Sequence, residues 1–428
     1  MRYGLPGLWL KVRAVEEELL QTANLIGGGL VLSEVRAMSS AARMRWWGLV
    51  WMAVCVVPAY AQQAPGPTVT VGANMPAVTV AAAGAGAGEA AASRDGDGSG
   101  GGLFLDVVVT DSAGHPVKGL PAQDFTLLED GHAALITSFR DVSGGSAPGA
   151  AASEAANAES SQDQVVFLLD GVNLSFLEIS QARTALSALL RRNGGKLVVP
   201  TSILMLTDKG VSRSGDPTED GNSLAADLDK AAGSLRAIGR SAGFYGGLDR
   251  LGISYRALDL LAGMEAKQPG RKLLVWISEG WPYLASPGVT YTNREQQQYF
   301  DTAVNFSTLL RASRVVLYNV DPRGASSAES FQHYYYRGFT KGLRKEVDAQ
   351  AAYLGLQVLA VQSGGLVENS SNNVAAEMAR CLDDVGVDYE MTSAPLSASE
   401  KIEYHTIEVK VNQPGLKVRT RTGYYTRP

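Results

Sequence analysis

The chain has 428 residues, room for two or three domains, and 45% of them are apolar, enough for a large core. A net charge of -5 argues against a nucleic-acid partner, which calls for a basic surplus. Two cysteines and four scattered histidines leave no cluster of soft or imidazole ligands for a zinc site.

In chain order, the first clear signal is Arg43-Met44-Arg45, then an apolar run from Trp46 to Val57 and the small-x-small triplet Ala59-Tyr60-Ala61. A basic start, a short apolar run and such a triplet read as an export leader over 44–61, cleaved before Gln62. The run falls short of the roughly 20 residues that span a bilayer, so membrane contact is expected only during export. The leader starts far from residue 1. That makes Met44 or Met38 the expected initiator and residues 1–43 a mispredicted extension. With Cys55 inside the leader, Cys381 would be the only cysteine of the mature chain.

Residues 62–102 are rich in Ala, Gly, Pro and Ser and read as a flexible tether. Gly84-Ala85-Gly86-Ala87-Gly88 echoes a dinucleotide fingerprint, but no strand precedes it and no periodic helix follows. Residues 103–143 form a β-rich segment, with strands expected at 103–110, 125–129 and 136–142 separated by turn residues. A second low-complexity stretch, 144–163, is a linker.

From 164 to 385 strands alternate with helices. Strands are expected at 165–169, 201–207, 272–278, 315–320 and 364–368, the first a continuous apolar run of the kind buried on both faces of a parallel sheet. Helices are expected at 180–192, 224–238, 255–266, 294–311, 347–363 and 374–384. This alternation predicts an α/β fold with a doubly wound, mostly parallel sheet. The acidic stretch with Asp208, Asp216, Glu219 and Asp220 reads as a solvated loop, because its spacing is not that of a calcium loop. Residues 386–428 return to a β pattern, with strands at 387–392, 405–411 and 416–422. Neither terminal β segment holds a core of its own. Pairing them predicts a sandwich-like unit with the α/β domain inserted.

Several stretches carry a resemblance: Val107-Val108-Val109-Thr110-Asp111-Ser112-Ala113-Gly114, Gln123-Asp124-Phe125, Glu129-Asp130-Gly131, Pro269-Gly270-Arg271-Lys272, Ile277-Ser278-Glu279-Gly280, Pro414-Gly415-Leu416-Lys417-Val418 and Gly423-Tyr424-Tyr425. In this order and spacing the chain resembles the exported von Willebrand factor A-related proteins abundant in acidobacterial genomes, over about residues 103–427. The resemblance implies a von Willebrand factor A-like sheet, secretion or a periplasmic location, and a divalent cation at the carboxyl edge of the sheet. Hard Mg²⁺ takes oxygen ligands and leaves one position for a partner's carboxylate.

The ligand set is altered here. Asp170 stands in the leading position, but Val172 and Leu174 stand where the next two ligands belong. Asn173 and Ser175 are out of phase, no Thr occurs in 241–247, and Glu279 replaces the late Asp. The expectation is therefore a degenerate adhesion site with no cofactor. Mg²⁺ held by Asp170, Ser175 and Glu279 is the alternative. The edge loops also carry Trp281, Tyr283, Tyr335 and Arg337, residue types enriched in binding hot spots. The opposing reading folds these aromatics back onto their own loop. No Gly-x-Ser-x-Gly elbow, Walker loop or His-Glu-x-x-His helix is present, so no enzyme is expected, and an active site invisible to motif reading is the last alternative. The expected function is an exported interaction module for a protein or glycan.

Overall fold

The computed structural model describes residues 102–144, 163–231, 243–282, 291–327, 335–386, 388–395 and 401–426. The expected extension, leader and tether, most of the 144–163 linker and Tyr283 lie outside these residues. Among the described residues no helix is long and apolar enough to cross a membrane.

Two four-stranded antiparallel sheets are built from the two ends of the described chain. One has the order β13-β1-β11-β4 and the other β14-β12-β2-β3. Their strands are β1 (Gly102–Thr110), β2 (Phe125–Glu129), β3 (His132–Ala134), β4 (Ile136–Asp141), β11 (Asp388–Pro395), β12 (Tyr404–Val411), β13 (Lys417–Arg419) and β14 (Gly423–Tyr425). Alternate residues point inward, as a half-buried strand requires. Leu103, Leu105, Val107 and Val109 of β1 meet Phe125, Leu127, Tyr389, Met391, Ile407 and Val409 in one core. The sandwich expected from two thin segments forms. The expected strand 416–422 proves to be two strands, β13 and β14, which belong to different sheets.

The inserted part is a six-stranded sheet of order β10-β9-β8-β5-β6-β7. It comprises β5 (Gln164–Asp170), β6 (Lys196–Thr207), β7 (Gly210–Asp220), β8 (Lys272–Ile277), β9 (Val315–Val320) and β10 (Val367–Glu368). Every pairing is parallel except that of β7 with β6. The acidic stretch read as a loop is thus largely the antiparallel edge strand. An edge strand has one face and one side in water, so it tolerates polar residues, and Gly210 at φ 104° closes the hairpin.

Odd and even residues of the central strands bury into separate cores. Val166, Leu168, Leu204, Leu274, Trp276 and Leu317 face α3 (Gly243–Glu265), α4 (Asn293–Ala312) and α5 (Leu356–Ser363). Val165, Phe167, Ile203, Leu273, Val275 and Tyr318 face α1 (Phe176–Leu190), α2 (Gly221–Ala231) and α6 (Val374–Leu382). The expected helix 347–363 survives only in its second half. Its first half makes two 3₁₀ turns, and α5 starts after the extended Gly355.

The amino ends of the central strands rest on the sandwich. Arg271, just before β8, pairs with Asp163, just before β5, at 3.0 Å, and both are buried. Asp163 also accepts the backbone N–H of Gly386 at 2.9 Å. Arg314, just before β9, reaches Asp106 of β1 at 2.6 Å and Glu390 of β11 at 2.8 Å. Arg419 of β13 donates to both oxygens of Asp384 at 2.7 and 2.8 Å. Removing one partner of a buried pair strands the other charge, a loss of roughly 3–5 kcal/mol. Urea denaturation of Arg271→Met should show a loss of that size, and Arg271→Met with Asp163→Leu should recover most of it. A single variant as stable as the wild type would refute the role given to this pair.

Candidate functional site

Open α/β sheets receive ligands outside the carboxyl ends of their strands. In this chain that edge is built from the loops 171–175, 278–282, 321–325 and 369–373, and their side chains are engaged mostly with one another.

Asp170 ends β5 fully buried. Its Oδ1 accepts the backbone N–H groups of Val172 and Asn173, both at 2.9 Å. Its Oδ2 accepts from the side-chain amide of Asn173 at 2.8 Å and from the indole Nε1 of Trp276 at 2.9 Å. Asn173 also donates to Ser254 Oγ of α3 at 3.0 Å. Four N–H donors occupy the carboxylate, which is the way a buried acceptor is satisfied. Val172 and Leu174 are buried in the two helix-facing cores.

Ser175 is the N-cap of α1. Its Oγ accepts from the backbone of Glu178 at 3.3 Å, while the Glu178 carboxylate accepts the Ser175 N–H at 2.5 Å. This reciprocal capping box starts the helix at Phe176, four residues before the expected start. It leaves Phe176 and Leu177 on the outer face of the first turn, 66% and 65% exposed.

Glu279 follows β8 and pairs with Arg323 Nη1 at 2.9 Å. The Arg323 guanidinium also holds Asp321, with Nη2 2.7 Å from Oδ2 and Nε 3.1 Å from Oδ1. Burial would push this guanidinium down. Its hydrogen bonds to Asp321 and the charges of Asp321, Glu279 and Glu178 outweigh that and hold it above the usual arginine range. Two glycines let the loops approach. A Cβ on Gly280 would meet the Gln357 amide at 2.2 Å, and one on Gly324 would meet the Ser371 carbonyl oxygen at 2.2 Å.

The expected metal ligands are therefore not gathered as a set. Asp170 is saturated by N–H groups, Ser175 caps a helix and Glu279 faces a guanidinium. One nearby oxygen, Asn173 Oδ1, has no hydrogen-bond partner among the described residues, but a single neutral amide oxygen does not make a cation site. Among the described residues no group of three or more His, Cys, Asp or Glu side chains is placed to hold a metal. These residues do not fit the divalent cation that the resemblance implies.

The aromatic expectation also needs correction. Trp281 is 1% exposed and packs edge-on against Trp276 and Tyr255, with ring centroids 5.2 and 5.5 Å away. It is a core residue in this structure because its loop turns inward at Gly280. Tyr335 is half-buried against Phe339 at 5.0 Å, and Phe339 in turn meets Tyr353 at 5.0 Å. This is the folded-back cluster, not a free platform. Arg337 is exposed beside it. Sequence reasoning did not single out Phe176, Leu177 or the Trp276 indole, and it marked the Asp321-Pro322-Arg323-Gly324 loop only as an edge loop, without the pairing of Arg323. Ser175-x-x-Glu178 was the legible signal for the first two.

No family model matches the chain, and no curated protein matches it in sequence. Solved structures similar to it include the human COPII coat protein (10% identity, 62% of this chain and 44% of that one, TM-score 0.27). A paralogue of ArnB, VWA2 from Sulfolobus acidocaldarius, is similar at 12% identity over 76% of this chain and 75% of that one, with a TM-score of 0.28. So is the pilus adhesin SpaC from Lactobacillus rhamnosus GG, at 8% identity over 61% of this chain and 38% of that one, with a TM-score of 0.30. The chain spans less than half the length of the COPII protein and of SpaC. At such low scores nothing those proteins bind or assemble with carries over.

Asp170→Asn would set an amide N–H₂ against the donors of Trp276 and Asn173. Unpaired buried donors and a lost charge-assisted bond should cost about 3 kcal/mol. Chemical denaturation of the variant measures this, and an unchanged midpoint would contradict the hydrogen-bonding role of Asp170.

Proposed function

We propose that the chain is an exported, non-catalytic protein-interaction module of the von Willebrand factor A type that docks its partner on the carboxyl edge of the six-stranded sheet without a metal ion. The observation that carries this is the exposed pair Phe176-Leu177 at that edge. The other buried faces of α1 are apolar in the ordinary way: Ile179, Ala182, Leu186 and Leu190 point into the core. Phe176 and Leu177 do not, and two adjacent large apolar side chains left in water beside the carboxyl edge support a contact surface there. The capping box fixes their backbone there, so little backbone freedom remains to be lost on docking.

A protein is favoured over a glycan. Sugar recognition relies on polar groups placed to bind hydroxyls, and Glu279, Asp321 and Arg323 are paired among themselves. The leader-like pattern at 44–61 supports export, and the absence of any recognisable catalytic motif supports a binding role.

The test is affinity capture by the purified chain from the secreted and envelope proteins of producing cells, in EDTA and in Mg²⁺. Phe176→Ser with Leu177→Ser should lower recovery of the specific partner by about tenfold or more, the scale set by losing hot-spot contacts, while EDTA has no effect. Capture that survives the double substitution, or that neutral oligosaccharides compete away, would overturn this reading.

A further inference from the structure

We infer that the guanidinium of Arg323 is the resident cation of the carboxyl edge, occupying with a fixed organic charge the role that a divalent ion plays in metal-dependent domains. The inference concerns the edge itself and stands whatever partner docks there.

Three observations carry it. First, Arg323 lies among carboxylates of separate elements: Asp321 closes β9, Glu279 follows β8, and the charge of Glu178 in the first turn of α1 acts on it as well. A cation at that point cross-links the two loops as a metal would. Second, the side chain is aimed by its own backbone. The Arg323 N–H donates to Asp321 Oδ1 at 3.0 Å, Pro322 restricts the turn, and Gly324 takes φ 56° where the loop meets the Ser371 carbonyl. Third, the leading acidic residue of the edge, Asp170, is closed to any ion by its four N–H donors.

The chemistry differs from that of a metal in one decisive way. An arginine stays charged over all physiological pH and is present at unit occupancy, whereas a bound Mg²⁺ or Ca²⁺ follows its free concentration. Its planar fork engages both oxygens of Asp321 and still reaches Glu279, and it has no coordination sphere that a partner's carboxylate must complete. The edge is thereby held in one arrangement, and recognition passes to its apolar residues.

Thermal unfolding of the full chain tests this in EDTA, in millimolar Mg²⁺ or Ca²⁺, and in millimolar ethylguanidinium. The wild type should unfold at the same temperature in EDTA and in either divalent ion. Arg323→Ala should unfold roughly 5 °C lower, and ethylguanidinium or a divalent ion should recover part of that shift, because Asp321 and Glu279 would be left facing one another. Arg323→Lys, which keeps the charge without the fork, should fall between the two and keeps the test open if Arg323→Ala does not fold. Stabilisation of the wild type by a divalent ion, lost in Asp170→Asn, would overturn the inference. So would an Arg323→Ala chain as stable as the wild type, or one that neither cation restores.

Discussion

A domain inserted into a sandwich must enter and leave at nearly one point, and the whole arrangement depends on how that point is held. Asp163 does it with a single carboxylate oxygen, which accepts the N–H of Gly386 just before the outgoing strand β11 and a guanidinium N–H of Arg271. The residue after Asp163 begins β5 and the residue after Arg271 begins β8, so the same contact sets Gln164 opposite Lys272 and with it the register of the central pair. Arg314 repeats the device one strand further on. Its backbone carbonyl receives the Lys272 N–H at 2.9 Å, while its side chain reaches Asp106 and Glu390 of the sandwich. Apolar contact could close this junction, but only directional pairs fix which residue lies opposite which.

Committing the amino ends of the strands to the sandwich leaves the carboxyl ends at the far side of the sheet. The central strands have six or seven residues, a rise of about 20 Å, so the loops that follow them are clear of the junction. The two ends are nevertheless linked through the core. Trp276 is the fifth residue of β8, fully buried, and its indole N–H is one of the four donors on Asp170. Packing of the sheet and order at the edge thus share a side chain, and a disturbance of either reaches the other.

Much of this was legible in the sequence because burial on both faces leaves a plain trace. The runs at 165–169, 272–278 and 315–320 read as central strands and are central strands. The sandwich followed from two segments too thin to fold apart. What was not legible has identifiable causes. β7 carries Asp216, Glu219 and Asp220 because an edge strand need not be apolar, so composition alone points to a loop. The change of sheet between β13 and β14 leaves no mark in a stretch that reads as one strand. Trp281 has the composition of a hot spot and the position of a core residue, and only the inward turn at Gly280 decides between them. The partners of Asp170 and Arg323 come from elements more than 40 residues apart in several cases, which spacing along the chain cannot reveal.

The edge also bears on how such a domain can be regulated. A ligand shifts a conformational equilibrium only by the difference in its affinity for the two states. In a domain whose edge is completed by a metal and a partner's carboxylate, those two ligands supply the difference. Here Asp170 is satisfied from within by Val172, Asn173 and Trp276, and Glu279 and Asp321 share the charge of Arg323. Each of the three carboxylates already has its partners, which an added ion would have to displace before it could favour one state over another. What remains uncompensated at the edge is apolar surface, and Phe176 and Leu177 gain by leaving water in the same measure whatever the free metal concentration. On the proposed reading, such an edge suits binding that is constant, with control exerted through the presence of the partner.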